Sequence, residues 1–316
     1  MRVTSARRPG ARVLTLRLVG IVALLAGLVV GAAPVAHAGV PRTQPAAPRY
    51  YLALGDSLAT GVQYDPATNQ TYVSAQGYVA DLYARLHAQD PSLALANLSC
   101  PGETTTTMIH GGCPYAAETS YGTSRPQLAV AEAFLRAHRG QVALVTIDIG
   151  ANDVDGCASA TGVDLACTMD GLTAVATNIS SIMSGLRAAG GWAVPIVGMS
   201  YYDPVLAAWL TGPAGRTVAR ESVWLSQVLN GVLWFGYALH GAAVAPVAEA
   251  FHTTDFTPVT VPGLPTGTPR NVATICALTW MCPYANIHAN AAGYRVIAQA
   301  FAARLPAPWR RVAAAG

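Results

Sequence analysis

Four short motifs in the chain carry the residue types that nucleophilic hydrolysis requires, and the first of them ends at a serine. Ser57 stands in the run Gly55-Asp56-Ser57-Leu58, directly after the apolar segment 50–54. A serine at the carboxyl end of a parallel strand lies where open α/β folds place their chemistry. Gly-Asp-Ser is also ordinary turn chemistry. Its hydroxyl becomes a candidate nucleophile only if a base and oxyanion donors lie near it.

Two further motifs offer those donors. Gly102 follows the second apolar segment, and its N–H could approach a substrate oxygen closely because glycine lacks a Cβ. Asn152 follows the third segment, and its neutral amide can donate to an oxyanion, which an ionised Asp could not do. Taken singly, each residue could instead be an ordinary turn glycine or an Asx turn.

The fourth motif supplies a base. His288 begins the run His288-Ala289-Asn290, immediately before the last predicted helix. A neutral imidazole, with an ordinary pKa of about 6.5, can take a proton from a serine near pH 7. A structural histidine is the alternative for any single position.

In this order and spacing the four motifs resemble the SGNH hydrolase superfamily, the GDSL-type esterases and lipases. The resemblance covers nearly the whole chain after residue 38. It implies Ser57 as nucleophile, His288 as base, and an oxyanion hole formed by the N–H groups of Ser57 and Gly102 with the amide of Asn152. Asp56 is expected to support the site. The resemblance implies ester hydrolysis without metal or cofactor, on a three-layer α/β/α sandwich with a flavodoxin-like sheet.

One position departs from the family pattern, which has an acidic residue three positions before the histidine. This chain has Ala285 there. We predict a Ser–His dyad in which the backbone carbonyl of Ala285, in the segment 280–285, holds the imidazole N–H. Asp255, in a long loop, is the alternative. A carbonyl can set the tautomer but stabilises imidazolium less than a carboxylate does.

The cysteines occur in local pairs, all after residue 38. The pairs are Cys100 with Cys113, Cys157 with Cys167, and Cys276 with Cys282. In an exported chain such pairs predict disulfides, although other connectivities remain open. Each bridge would add about 2–3 kcal/mol and would stiffen a loop that carries a site motif.

The segment 1–38 has the features of a secretory signal peptide. A basic segment precedes the apolar stretch 18–33, and Ala36-His37-Ala38 fits a cleavage site before Gly39. We predict cleavage near Ala38–Gly39 and a secreted protein, with an uncleaved membrane anchor as the alternative. Cleavage removes five of the 19 basic residues and none of the 16 acidic ones, which leaves a net charge of −2. No basic patch for nucleic acid remains.

The remaining chain alternates between two kinds of apolar pattern. The leader 39–49 is Pro-rich, 50–305 is predicted to be a single hydrolase domain, and 306–316 a tail. Short continuous apolar runs predict about five buried strands, at 50–55, 93–98, 142–149, 193–199 and 242–248. Helices are predicted at 76–88, 126–138, 170–189, 216–240 and 290–304. This alternation is typical of a doubly wound parallel sheet.

Two segments do not fit this alternation of strands and helices. Residues 253–274 are rich in Thr, Pro and Gly and predict a long loop. The segment 222–239 has no charge and contains four aromatic residues. It predicts a buried helix, with the lining of an apolar substrate pocket as the alternative; polar residues within it argue against a membrane span.

Together these observations predict a secreted serine hydrolase that cleaves lipid or small acyl esters. We expect a monomer whose partner is a small-molecule or lipid ester, with transient contact to a lipid interface and none to nucleic acid. A carbohydrate deacetylase of the acetyl-xylan type is the first alternative. An exported lipid-binding protein without turnover is the alternative from another class.

Overall fold

The computed structural model describes residues 49–159, 162–307 and 309; the predicted signal peptide, nearly all of the leader and most of the tail lie outside them. The strands of this part are β1 (Arg49–Gly55), β2 (Val62–Asp65), β3 (Gln70–Val73), β4 (Leu93–Asn97), β5 (Val142–Asp148), β6 (Ala158–Ser159), β7 (Gly162–Val163), β8 (Ile196–Met199), β9 (Ala243–Ala245), β10 (Pro258–Val259) and β11 (Thr268–Pro269). Its α-helices are α1 (Ser57–Thr60), α2 (Tyr78–His87), α3 (Thr105–His110), α4 (Gln127–Ala137), α5 (Leu165–Gly190), α6 (Pro213–Leu239), α7 (Val247–Ala250), α8 (Arg270–Leu278), α9 (Met281–Tyr284) and α10 (Ala291–Ala302). Short 3₁₀ helices span Ala116–Glu118, Ala151–Asp153, Asp155–Cys157 and Pro204–Thr211.

The central sheet has the strand order β4-β1-β5-β8-β9, and every neighbouring pair is parallel. Counted along the chain this is the flavodoxin-like order 2-1-3-4-5. The order reverses after β4. Since crossovers between parallel strands are right-handed almost without exception, this reversal puts helices on both faces of the sheet. Helix α2 packs with α10, whereas α4, α5 and α6 pack side by side. The predicted three-layer α/β/α sandwich is confirmed.

The middle of the sheet is fully covered. Leu52 and Leu54 of β1 and Val145 and Ile147 of β5 are all 0% exposed. Strands covered on both faces need apolar side chains at consecutive positions, which is why these segments lack alternation. The carboxyl ends of β1, β4 and β5 meet at one edge, so the loops that carry the first three motifs meet there too.

The segment 253–274 is not the unstructured loop that its composition predicts. Strands β10 and β11 pair in antiparallel fashion within it, and α8 begins at Arg270. The strands are only two residues long, so they leave no periodic signal. The hairpin of β2 and β3 was also missed, and its turn is held by the Asp65 carboxylate, which accepts from Ala67 N–H and Thr68 Oγ1.

The prediction that the segment 222–239 forms a buried helix is wrong for one face of α6. Trp224, Trp234 and Phe235 are each 59% exposed, and Leu239 is 58% exposed. The opposite face is buried through Leu225, among other residues. Within the described ranges, no helix has the length and apolar character needed to cross a membrane.

Candidate active site

Ser57 begins helix α1, two residues after β1 ends. Gly55 adopts φ 135°, and a Cβ there would lie 2.2 Å from the carbonyl oxygen of Asp148. Only glycine therefore lets β1 turn this close to β5. The Asp56 carboxylate accepts from Leu58 N–H at 2.9 Å and caps α1, which is a geometric basis for the supporting role expected of it.

Three of the four predicted site residues line one cavity of about 120 Å³: Ser57, Asn152 and His288. Gly102 is not among the lining residues. Apolar side chains make most of the wall, and they come from the segment after β5 and from α5 and α6; they include Val154, Val163, Leu172, Leu225 and Leu229. The cavity therefore joins a hydroxyl, an amide and an imidazole to an apolar chamber.

The His288 ring is oriented by a side-chain amide. Its Nδ1 lies 2.9 Å from Oδ1 of Asn286, and the backbone N–H of His288 donates to the same oxygen at 3.1 Å. A backbone N–H can only donate, so this Asn286 atom is the acceptor oxygen rather than the amide nitrogen. Nδ1 must then carry its proton, which leaves the basic lone pair on Nε2.

The prediction that the Ala285 carbonyl orients His288 is wrong. Ala285 adopts a left-handed conformation (φ 52°) that ends α9, and its N–H donates to Met281. This turn brings the next residue, Asn286, to the imidazole although it is displaced by one position from the family's acidic residue. Asp255 is engaged elsewhere, because its carboxylate accepts from Thr257 N–H and pairs with Arg270 at 3.4 Å.

No carboxylate hydrogen-bonds the His288 ring among the described residues. Burial lowers the pKa of His288 to about 4. The imidazole is therefore neutral over most of the pH range and is competent to accept a proton.

The amide of Asn152 is held at one of its two N–H groups. Its Nδ2 donates to the main-chain carbonyl of Glu103 at 2.9 Å, which leaves the second N–H for a substrate oxygen. The neighbouring Asp153 carboxylate accepts from Thr105 N–H at 2.8 Å and Thr105 Oγ1 at 2.7 Å. These bonds tie the Asn152 turn to the start of α3.

Gly102 lies in the loop between β4 and α3. Its φ of 76° is in the left-handed region, so the position favours glycine. The residue directly after it is Glu103, whose carbonyl holds Asn152. The glycine is therefore adjacent in the chain to the anchor of the amide, although it does not line the cavity itself.

A pair of buried carboxyls lies beneath Ser57, and sequence reasoning missed one of them. Asp56 accepts from Tyr201 Oη at 2.8 Å, while Asp148 accepts from Tyr78 Oη at 2.6 Å and from Ala59 N–H at 3.2 Å. Burial and the neighbouring Asp56 raise the pKa of Asp148 well above its ordinary value, which favours the protonated form of this carboxyl. The available signal was a carboxyl inside an otherwise apolar strand.

All six cysteines pair as predicted: Cys100–Cys113, Cys157–Cys167 and Cys276–Cys282. The first bridge closes the loop of Gly102, the second lies at the start of α5, and the third precedes His288. Cys100, Glu103 and Cys113 form the only cluster with metal-ligand spacing in the described part of the chain. Its two sulfurs are bonded to each other, so it offers no thiolate to a metal.

A flavodoxin-like sheet with a serine, an amide and a histidine around one cavity has the make-up of a hydrolase. The chain matches the family model of the GDSL-like lipases and acylhydrolases over residues 53–296. It belongs to this family, since the match spans the motifs from Ser57 to His288. Ester hydrolysis is the activity class that this membership assigns.

Several solved structures are similar to the chain, and no curated protein matches it. An α/β hydrolase from the metagenome of Lake Arreo, Spain, is 19% identical, covering 81% of this chain and 94% of that one, with a TM-score of 0.44. Phospholipase A1 from Streptomyces albidoflavus is 19% identical; the match covers 76% of this chain and 98% of that one, with a TM-score of 0.43. An extracellular lipase from Streptomyces rimosus is 18% identical; the match covers 72% of this chain and 99% of that one, with a TM-score of 0.45.

Proposed function

We propose that this protein is a secreted carboxylic ester hydrolase that works through a Ser–His acyl-enzyme mechanism. The observation that carries the proposal is that Ser57, Asn152 and His288 line the same cavity. Export is supported by the signal-like segment 1–38 and by the three disulfides, which persist in oxidising compartments.

In the first half-reaction Nε2 of His288 takes the Ser57 proton as Oγ bonds to the ester carbonyl carbon. The carbonyl π electrons move to oxygen, and the N–H of Ser57 and the amide of Asn152 donate to this oxyanion. The N–H of Gly102, which does not line the cavity, is the third donor that the sequence motifs propose. Collapse of the tetrahedral intermediate breaks the bond to the alcohol, which leaves with the proton from Nε2. Water then repeats the sequence on the acyl-enzyme and releases the acid.

The acyl group is proposed to occupy the apolar chamber. Leu172 of α5 and Leu225 and Leu229 of α6 line it, and burying an acyl chain against them is favourable. Three carboxyls also line the cavity: Asp56, Asp155 and Asp203. Ser222 Oγ donates to Asp203 at 2.7 Å, and burial raises the pKa of Asp203 to about 6. The apolar side chains of α5 and α6 are what favours an acyl group as the occupant of the chamber.

We further propose that the exposed face of α6 contacts lipid surfaces. Its residues Trp224, Trp234, Phe235 and Leu239 are all more than half exposed, and the segment 222–239 carries no charge. Large exposed apolar patches are rare on monomers, and Trp and Phe are favoured at the boundary between water and lipid. The buried side of the same helix lines the cavity, so docking here would bring the site close to its substrate.

The test is hydrolysis of p-nitrophenyl esters from acetyl to palmitoyl, alongside acetylated xylan. The proposal expects ester turnover with a preference for an acyl chain beyond acetyl, and none by the Ser57→Ala variant. Turnover of acetylated xylan alone would favour the deacetylase. Absence of turnover on every ester, in folded protein with its disulfides intact, would overturn the proposal.

A further inference from the structure

A buried glutamine connects two loops of the candidate site. Gln127, the first residue of α4, is 1% exposed, and its side chain reaches the end of β1. Its Oε1 accepts from Gly55 N–H at 2.8 Å, and its Nε2 donates to Gly55 carbonyl oxygen at 3.0 Å. The side-chain amide thus pairs with both backbone groups of one residue, as a neighbouring strand would.

Gly55 is the position where such a pairing matters most for Ser57. It is the last residue of β1 and lies two residues before the serine. Its carbonyl also accepts from Cys100 N–H at 3.0 Å, at the point where the chain leaves β4. Beyond this point the backbone that carries Ser57 leaves the main-chain ladder of the sheet, and the sheet bonds to it through side chains: Asp148 accepts from Ala59 N–H at 3.2 Å, and Asn97 Nδ2 donates to the Ala59 carbonyl at 2.9 Å.

The same glutamine reaches the loop that carries the oxyanion donors. Its Nε2 also donates to Oε2 of Glu103 at 2.8 Å. Glu103 directly follows Gly102, and its main-chain carbonyl holds the Asn152 amide at 2.9 Å. One side chain therefore bonds to the loop of the nucleophile and to the residue that anchors the oxyanion amide.

Other groups near Glu103 do not replace this link. Its second carboxyl oxygen, Oε1, is buried and has no hydrogen-bond partner among the described residues. Burial raises the pKa of Glu103 to about 7, while hydrogen bonding with the side chains of Thr107 and Gln127 lowers this pKa and the nearby Asp56 raises it. The Gln127 amide thus donates to a side chain with few other partners, which makes the bond costly to lose.

We propose that Gln127 is a positioning residue that sets the spacing between Ser57 and the oxyanion donors Gly102 and Asn152. This inference rests on the proposed function. It predicts that the glutamine acts on the chemical step and not on substrate binding, because its bonds lie behind the reacting groups and outside the cavity wall.

The first test is Gln127→Met, which keeps the length of the side chain and removes all three hydrogen bonds. With p-nitrophenyl butyrate we expect kcat to fall about 10–100-fold, since misplacement of about 1 Å costs about 10²-fold, while KM changes less than about twofold. The rate at which a fluorophosphonate labels Ser57 should fall in parallel, because the tetrahedral adduct needs the same donors.

The matched control is Asn271→Leu. Asn271 is 0% exposed, its amide donates to the Thr253 carbonyl at 3.1 Å, and it does not line the cavity of Ser57, Asn152 and His288. The Asn271→Leu variant should lower the melting temperature about as far as Gln127→Met does, and its kcat should stay within about twofold of the wild-type value. Equal kcat in the two variants would overturn the positioning role.

The second test exchanges the donor and the acceptor of the hydrogen bond between positions 127 and 103. It can be used even if Gln127→Met does not fold. Gln127→Glu places two carboxyls side by side, whereas Gln127→Glu with Glu103→Gln restores a hydrogen bond between positions 103 and 127. The double variant should recover at least about fivefold in kcat over the single one. No recovery would contradict the proposal. A wild type that hydrolyses no ester and takes no label would instead mean that the proposed function has failed.

Discussion

The imidazole Nδ1 of His288 lies 2.9 Å from the side-chain oxygen of Asn286, a neutral amide in a position two residues away. The amide sets the tautomer, as a carboxylate would, but it adds no negative charge to stabilise imidazolium. This is consistent with a base whose pKa is lowered by burial, to about 4.

Replacing Asn286 by Asp should move the acid limb of the pH profile. Protonated His288 cannot accept a proton, so activity in the wild type rises as pH increases through about 4. A carboxylate at position 286 favours imidazolium and raises this pKa, which moves the limb toward higher pH. The measurement is kcat/KM from pH 3 to pH 9.

Asn290→Asp is the control for this shift. Asn290 caps α10 by accepting from Ala292 and Gly293 N–H, and its Nδ2 donates to the Ala277 carbonyl at 2.9 Å. Asp also fills the cap but loses the bond to Ala277, so the variant adds a nearby charge without touching Nδ1 and is compared only through the position of its acid limb. The acid limb of the Asn290→Asp profile should move much less than that of the Asn286→Asp profile. If Asn286→Asp and Asn290→Asp gave the same profile, Asn286 would not be the group that orients the base.

Asn152→Ala should reduce turnover with little effect on binding. Removing one oxyanion donor typically lowers kcat about 10²–10³-fold. Asn271→Ala is the control, because Asn271 is buried, its Nδ2 donates to the Thr253 carbonyl at 3.1 Å and it does not line the cavity, so its kcat should stay close to that of the wild type. A loss confined to KM in Asn152→Ala would contradict the assignment of its amide to the transition state.

The exposed face of α6 should govern attachment to lipid. Trp224→Ser with Phe235→Ser should reduce co-sedimentation with phosphatidylcholine vesicles about threefold or more and leave hydrolysis of dissolved p-nitrophenyl butyrate unchanged. Tyr72→Ser is the control, since Tyr72 is 52% exposed but lies on β3, in the hairpin with β2, and not on α6. Equal sedimentation of all three proteins, or a wild type that elutes as a dimer, would count against a lipid-binding face.

Asp148→Asn should flatten the dependence of stability on pH. The pKa of Asp148 is raised in the folded protein, so the unfolded chain releases this proton first and stability falls as pH rises from about 4 toward the folded pKa. An amide cannot ionise and removes this contribution. The free energy of unfolding at pH 5 and at pH 8 should therefore differ less in the variant than in wild type, and an equal or larger difference would be contrary to the prediction.

The parts of the fold that follow from burial were predictable. Strands β1 and β5 are continuous apolar runs because helices cover both faces, and such runs stand out in the sequence. The strands β10 and β11 left no signal, because each has only two residues. The exposed face of α6 was misjudged for a different reason: uncharged aromatic residues indicate burial in most helices, and here Tyr237 is buried while Trp224, Trp234 and Phe235 face solvent.

The candidate site was predictable where one residue type performs one chemical task. Ser57, Asn152 and His288 each follow a strand or precede a helix, and the three meet at one cavity. The contacts that support them were not predictable, because they depend on distant residues and on backbone conformation. Asn286 reaches the imidazole only because Ala285 is left-handed, and Gln127 reaches Gly55 across 72 positions of the chain.

The central claim is that Ser57 is the nucleophile, and covalent labelling tests it most directly. Intact-mass spectrometry after treatment with a fluorophosphonate should show a single adduct on wild type, mapped to the peptide that contains Ser57. Ser57→Ala should remain unmodified, and His288→Ala should react far more slowly because the base is missing. An adduct on another residue, or equal labelling of wild type and Ser57→Ala, would contradict the account.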